Sequence, residues 1–191
     1  MTTFSNSSYF LSDDYYGYPF QNVHNQEVTN QQDLIKKSIF RFRSPKSKQT
    51  YLVHVEYYRH NVAVVKYHLK THRLSEKKYN ILTGLYEART VIKTCINIML
   101  QIAYENEKLS FGFIGAHTEK KDFEESKSNT KRFRVYQALM STYFSEDVYE
   151  HYTFGEQSAY LLLNKWEYRK DSHLLEGIAQ MFKRNYPELH D

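Results

Sequence analysis

The chain has 191 residues, with 26 Lys+Arg against 22 Asp+Glu and a net charge of +4; that is enough chain for one domain (roughly 100–200 residues) with its own core, and a charge that admits a phosphate or nucleic-acid partner without requiring one. One cysteine, Cys95, excludes an intrachain disulfide and suits a reducing compartment. No apolar run reaches the roughly 20 residues of a membrane span, and MTTFSNSSYFLSDD lacks the basic-then-apolar order of a secretory signal, so a cytoplasmic protein with no membrane contact is expected.

Residues 1–32 are polar and rich in Asn, Ser, Gln and Tyr, and read as an N-terminal arm ahead of a single domain over 33–191. Tyr9, Phe10, Tyr15, Tyr16, Tyr18 and Phe20 are many aromatics for a solvated tail, so the arm is expected to dock on its own domain or on a protein partner. Three strands follow in a meander: KSIFRFRS (37–44), TYLVHVEYY (50–58) and NVAVVKYHL (61–69), each alternating in character along its length. The second puts Tyr51, Val53, Val55 and Tyr57 on one face and Leu52, His54, Glu56 and Tyr58 on the other. Tyr57, Tyr58, Arg59 and Tyr67 of this hairpin offer aromatics beside a cation for base stacking, with sheet packing as the plainer use.

The stretch 72–88 is a connection containing Gly84. ARTVIKTCINIMLQIAYENE then predicts a long helix whose Val91, Ile92, Cys95, Ile96, Ile98, Met99 and Ile102 leave a thin polar stripe at Arg89, Lys93, Asn97 and Gln101; such a helix is largely buried. LSFGFIGA (109–116) reads as a buried strand whose glycines permit close backbone approach. HTEKKDFEESKS (117–128) is a charged loop, and a helix is expected over about 129–144 with Phe133, Tyr136, Met140, Tyr143 and Phe144 as its apolar stripe. YEHYTF and SAYLLLNKW are two more strands. A closing helix capped by Asp171 or Ser172 buries Leu174, Leu175, Ile178, Met181 and Phe182. The order predicts an α+β protein, one central, mostly antiparallel mixed sheet flanked by helices.

That order, together with NTKRFRVY (129–136), resembles the GCN5-related N-acetyltransferase (GNAT) fold over roughly residues 37–165. In that family a meander leads to a long helix, a strand, a second helix and closing strands, and the sheet splays into a V that coenzyme A enters. The resemblance implies acetyl-CoA as cofactor, an amine as acceptor, Asn129 beside the pantetheine arm and Tyr136 as the acid that protonates the departing thiolate. It implies that Phe113 and Ile114 flank the wedge and that Gly84 belongs to the pyrophosphate loop. The chain departs from the family in that loop. Ile81 stands where a polar residue opens the motif, and Tyr86 takes the place of its final small residue.

Lys131, Arg132 and Arg134 crowd a helix start where the macrodipole disfavours cations, by about 0.3–1 kcal/mol each; a bound phosphate, with Arg132 as a ligand, would reverse that sign, and pairing with Glu124 and Glu125 is the alternative. Glu56 and His54, with His68 on the next strand, are candidate general bases, or else ordinary polar residues of a solvated sheet face. Cys95 reads as a small buried hydrophobe. No histidine or cysteine spacing suits a metal, and neither a Gly-x-x-x-x-Gly-Lys loop nor a Gly-x-Ser-x-Gly elbow is present. Two readings follow: a divergent acetyl-CoA-dependent N-acyltransferase, and a non-catalytic binding protein or complex subunit on the same scaffold, bacterial or phage in origin, contacting protein or nucleic acid.

Overall fold

The computed structural model describes residues 17–81, 85–115, 119–120, 123–126 and 128–187. The strands are β1 (Phe20–Glu27), β2 (Leu34–Arg43), β3 (Thr50–Tyr58), β4 (Val62–Leu69), β5 (Ser110–Ile114), β6 (Glu119–Lys120), β7 (Phe123–Glu124), β8 (Tyr149–Phe154) and β9 (Ala159–Asn164). The helices are α1 (Ala88–Glu105), α2 (Lys131–Tyr143), α3 (Lys165–Lys170) and α4 (Leu174–Asn185). Seven strands form one mixed sheet in the order β1-β2-β3-β4-β5-β9-β8, and β6 and β7 make a separate two-stranded ribbon within the charged loop. All neighbours in the large sheet are antiparallel except β4 and β5. The class is α+β, as the order of elements predicts.

Strand alternation divides the sheet into two faces. Phe40 and Phe42, Tyr51, Val53 and Val55, Ala63 and Val65, and Phe111 and Phe113 point to one face and are buried under α1 and α2. Every apolar position expected inward on α1, from Val91 to Ile102, is buried there, together with Thr94. Each such aliphatic side chain taken out of water contributes roughly 1.5–3 kcal/mol. On the opposite face Leu34, Tyr58, Val62, Val64, Leu161 and Leu163 pack against Leu174, Ile178 and Met181 of α4. Cys95 lies in the α1 core at 1 % exposure, where burial pushes its thiol pKa up and keeps it protonated.

Several boundaries differ from expectation, each for a local reason. Phe20–Glu27, inside the stretch read as an arm, is the edge strand β1, paired along β2. Tyr18 docks beside it, its N–H donating to Thr94 Oγ1 at 2.8 Å and its ring 5.8 Å from Phe42; Tyr9, Phe10, Tyr15 and Tyr16 lie outside the described residues. The strand SAYLLLNKW stops at Asn164, whose side chain accepts from the N–H groups of Trp166 and Glu167 and so opens α3. Neither Asp171 nor Ser172 is the N-cap of α4; that position is His173, and Asp171 Oδ1 instead accepts from the His173 N–H at 2.9 Å.

Candidate functional site

β4 pairs with β3 along its whole length, from Val62 opposite Tyr58 to Leu69 opposite Tyr51. On its other side it pairs with β5 only through Val62, Val64 and the residue between them, opposite Ser110–Gly112. Beyond that point Phe113 and Ile114 continue alongside β9, opposite Tyr160 and Ala159, while Val65–Leu69 have no strand partner on this edge among the described residues. The sheet therefore parts into a wedge between the end of β4 and the end of β5.

Close backbone packing sets the β5 wall. A Cβ on Gly115 would fall 2.8 Å from the backbone nitrogen of Phe133 and from Thr130 Oγ1, so only glycine lets the end of β5 meet the first turn of α2. Thr130 Oγ1 donates to the Gly115 carbonyl at 2.8 Å and accepts from the Phe133 N–H, which makes Thr130 the N-cap of α2. Asn129, expected to open the helix, lies one residue outside it at φ 50°, a left-handed conformation that Asn tolerates. Its N–H donates to Gly155 in the β8–β9 turn and its carbonyl accepts from Arg134 at 2.7 Å.

The three basic residues at this helix start make separate local contacts, Lys131 through its backbone. Glu125 Oε1 accepts from the Lys131 N–H at 2.7 Å, placing a carboxylate at the positive end of the helix. Arg132 reaches over the Tyr67 ring, 5.8 Å from its centroid, and donates to the carbonyls of Tyr79 and Ile81 in the chain leaving β4. It thus bridges the β4 and β5 sides at the wide end of the wedge. Phe113 faces α2, its ring 5.3 Å from that of Tyr136, whereas Ile114 packs toward α4. Tyr136 is buried, and its hydroxyl is hydrogen-bonded to that of Tyr67; burial, then the neighbouring Tyr67, pushes its pKa well above the usual phenol value.

On the α4 side, Glu56 is no free carboxylate. Its Oε2 accepts from Lys66 Nζ at 2.5 Å, Tyr186 OH at 3.0 Å and Tyr58 OH at 3.1 Å. Burial alone would raise its pKa; the Lys66 charge and these donors outweigh burial and hold it below the usual value. His54 and His68 stack with their Nε2 atoms 3.0 Å apart. Because His68 Nδ1 faces the Leu69 carbonyl at 2.8 Å it carries a proton, so neutral His68 accepts at Nε2 from His54. That leaves Nδ1 of His54 as the lone-pair nitrogen. Burial, followed by the neighbouring His68 and Lys78, pushes His54 down to about 4, so it is neutral at pH 7. The Tyr79 ring stands edge-on to both imidazoles, 6.3 and 5.5 Å away between centroids.

The structure thus gathers Tyr136, Arg132, Phe113 and Ile114 around the wedge, and Glu56 and His54 one strand away. Gly84 lies outside the described residues. Tyr86, two residues on in the connection, is 96 % exposed at φ 50°. Tyr57 and Tyr67 pack toward α1 and α2 and Tyr58 toward α4, so the hairpin aromatics do not form a one-sided stacking platform. Lys66, Tyr79 and Tyr186 are site residues that sequence reasoning missed, and Tyr67 was read only as a stacking or sheet-packing aromatic. The alternation of β4 puts Lys66 and Tyr67 on opposite faces, but nothing local marks Tyr79 or Tyr186 as their neighbours. Among the described residues no three His, Cys, Asp or Glu side chains are grouped to hold a metal, and no helix is long and apolar enough to cross a membrane. No family model, curated protein or solved structure matches this chain.

Proposed function

We propose that the chain is a divergent acyl-CoA-dependent N-acyltransferase on a GNAT-like scaffold, with acetyl-CoA as the parent cofactor and an amine as acceptor. The observation that carries this reading is the parting of β4 from β5 after three residue pairs, which leaves room for a pantetheine arm between two strands. The start of α2, tied to the end of β5 at Gly115, supports it by lying at the wide end of that wedge. In this reading the amine attacks the thioester carbonyl directly, the C–N bond forms, the C–S bond breaks and the thiolate takes a proton from the hydroxyl pair Tyr136–Tyr67. Backbone donors of β5 beyond Gly112 stabilise the oxyanion. His54, whose Nδ1 keeps its lone pair at neutral pH, is a better base than Glu56, whose Oε2 already takes three donors.

A second reading, a non-catalytic binding protein on the same scaffold, is favoured by a different observation: Arg132 and Glu56 are both already satisfied within the protein. Thermal unfolding with and without acetyl-CoA separates the two. A ligand at about 100 times its dissociation constant adds ~2.7 kcal/mol of stability, so a clear rise in Tm is expected. No shift with acetyl-CoA or free CoA, combined with a shift on adding an oligonucleotide or a protein partner, would replace the first reading by the second.

A further inference from the structure

On the α4 face, a cavity of about 210 Å³ lies between α4 and the sheet end formed by β5, β9 and β8. Ile178 and Phe182 wall it on the helix side, and Leu161, Ala159, Phe113 and Phe154 on the sheet side. Polar character enters through Gln157 and through Lys183, an exposed ammonium that makes no ion pair among the described residues. Apolar walls with one cation at the rim suit a ligand with a hydrocarbon body and an anionic end.

The cavity adjoins the wedge. Gly112 is the last β5 residue that β4 pairs, and a Cβ there would fall 2.5 Å from Phe182 Cζ. The Phe182 ring therefore lies on the backbone where the strands part, and the same ring walls the cavity. Phe113 lines the cavity from β5, while its ring stays on the α2 side of the sheet. A chain running from a thioester in the wedge along β5 meets the Phe182 ring and then the cavity.

We propose that this cavity receives a straight acyl chain of about six to eight carbons, since an apolar cavity of roughly 150 Å³ already admits benzene. As the site of a transferred acyl group it rests on the acyltransferase reading; as a site for the chain itself it does not. The shared chemistry is a medium-length hydrocarbon chain ending in a carboxyl-derived head, from a CoA thioester or a free carboxylate.

The test is calorimetric titration of the full chain with acetyl-CoA, octanoyl-CoA and sodium octanoate, repeated on Ala179→Trp. Ala179 lines the cavity from the exposed side of α4, so the indole fills the space without entering the core. Ala159→Leu fills it from the sheet should the first variant fail to fold. Burying several methylenes predicts octanoyl-CoA binding at least about ten-fold tighter than acetyl-CoA, with that advantage lost in the filled variants and acetyl-CoA affinity unchanged. Octanoate alone should bind weakly and saturably, and only to the unfilled protein. Octanoate binding that the filling abolishes, with no binding of either thioester, would uphold the chain site and overturn the transferase reading. Equal affinity for the two thioesters would leave the wedge reading standing and overturn the chain site, and no binding of octanoate or octanoyl-CoA would also overturn it.

Discussion

Glu87, at the N-cap of α1, is 5 % exposed and takes four hydroxyl donors: Ser44 at 2.6 Å and Tyr18 at 3.1 Å on one oxygen, Ser47 at 2.7 Å and Tyr51 at 2.8 Å on the other. Burial would raise its pKa, but the hydroxyls outweigh burial and bring it below the usual glutamate value. Hydrogen bonds to a charged group contribute roughly 1.5–3 kcal/mol, so Glu87→Gln should cost about 2 kcal/mol in urea unfolding at pH 7. A depressed carboxylate pKa stabilises above the unfolded value and that contribution is lost as pH falls through the folded one. The gap between wild type and variant should therefore narrow as the pH falls below the usual glutamate range and through the lower folded pKa. His54 has the same sign at a higher pH. Its pKa drops from 6.5 to about 4 on folding, so protonation favours the unfolded chain throughout that window. Stability should decline as pH falls from 6.5 toward 4, by up to ~1.4 kcal/mol per pH unit. His54→Gln should flatten the decline; an unchanged slope would show that His54 does not titrate with folding.

At the scale of elements, the two β5 glycines face different neighbours. The missing side chain of Gly115 makes room for the backbone of α2, that of Gly112 only for the tip of the Phe182 ring. Overpacking against backbone costs about 1–3 kcal/mol. Gly115→Ala should therefore approach the top of that range, and Gly112→Ala should cost less and recover when Phe182→Leu is added. Equal, unrescued losses in denaturant unfolding would contradict the packing described. The same contrast explains what could be read without coordinates. β3, β4 and α1 announce themselves because their alternation or helical period matches one buried face. β1 does not, because FQNVHNQE buries little beyond Phe20 and is held by ladder hydrogen bonds to β2. Asn129 and Thr130 are both good caps, and only the left-handed φ at Asn129 decides between them. Tyr136 is legible from the helix period and Arg132 from the crowding of cations at a helix start, whereas the Arg132 carbonyl partners at Tyr79 and Ile81 lie more than fifty residues away in the chain.

Across the whole molecule, the sheet consists of two blocks, β1–β4 and β5-β9-β8, joined edge to edge, among the described residues, only at the narrow end of the wedge. Other contacts hold the blocks together. α4 packs on Val62 and Val64 of one and on Leu161 and Leu163 of the other. Its C-terminal end is tied to the first block by Arg184 and Asn185, which donate to Asp33 at 2.9–3.0 Å. Arg132 ties the opposite side through the Tyr79 and Ile81 carbonyls. The common core under α1 and α2 spans both blocks as well. Opening of the wedge is thus limited by side-chain packing and by Arg132 rather than by a ladder of strand hydrogen bonds, and hydrogen exchange should resolve the difference. Amides of Val65–Leu69 that point toward β5 should exchange much faster than those of Val62–Val64, while β4 amides paired with β3 stay protected. Arg132→Ala should accelerate the wedge-facing set further and leave the narrow end unchanged. An acyl-CoA bound between the strands should slow the same set. Uniform protection along both edges of β4 in the free protein would mean that the strands are not parted in solution, and the proposed thioester cleft would then have no place in this fold.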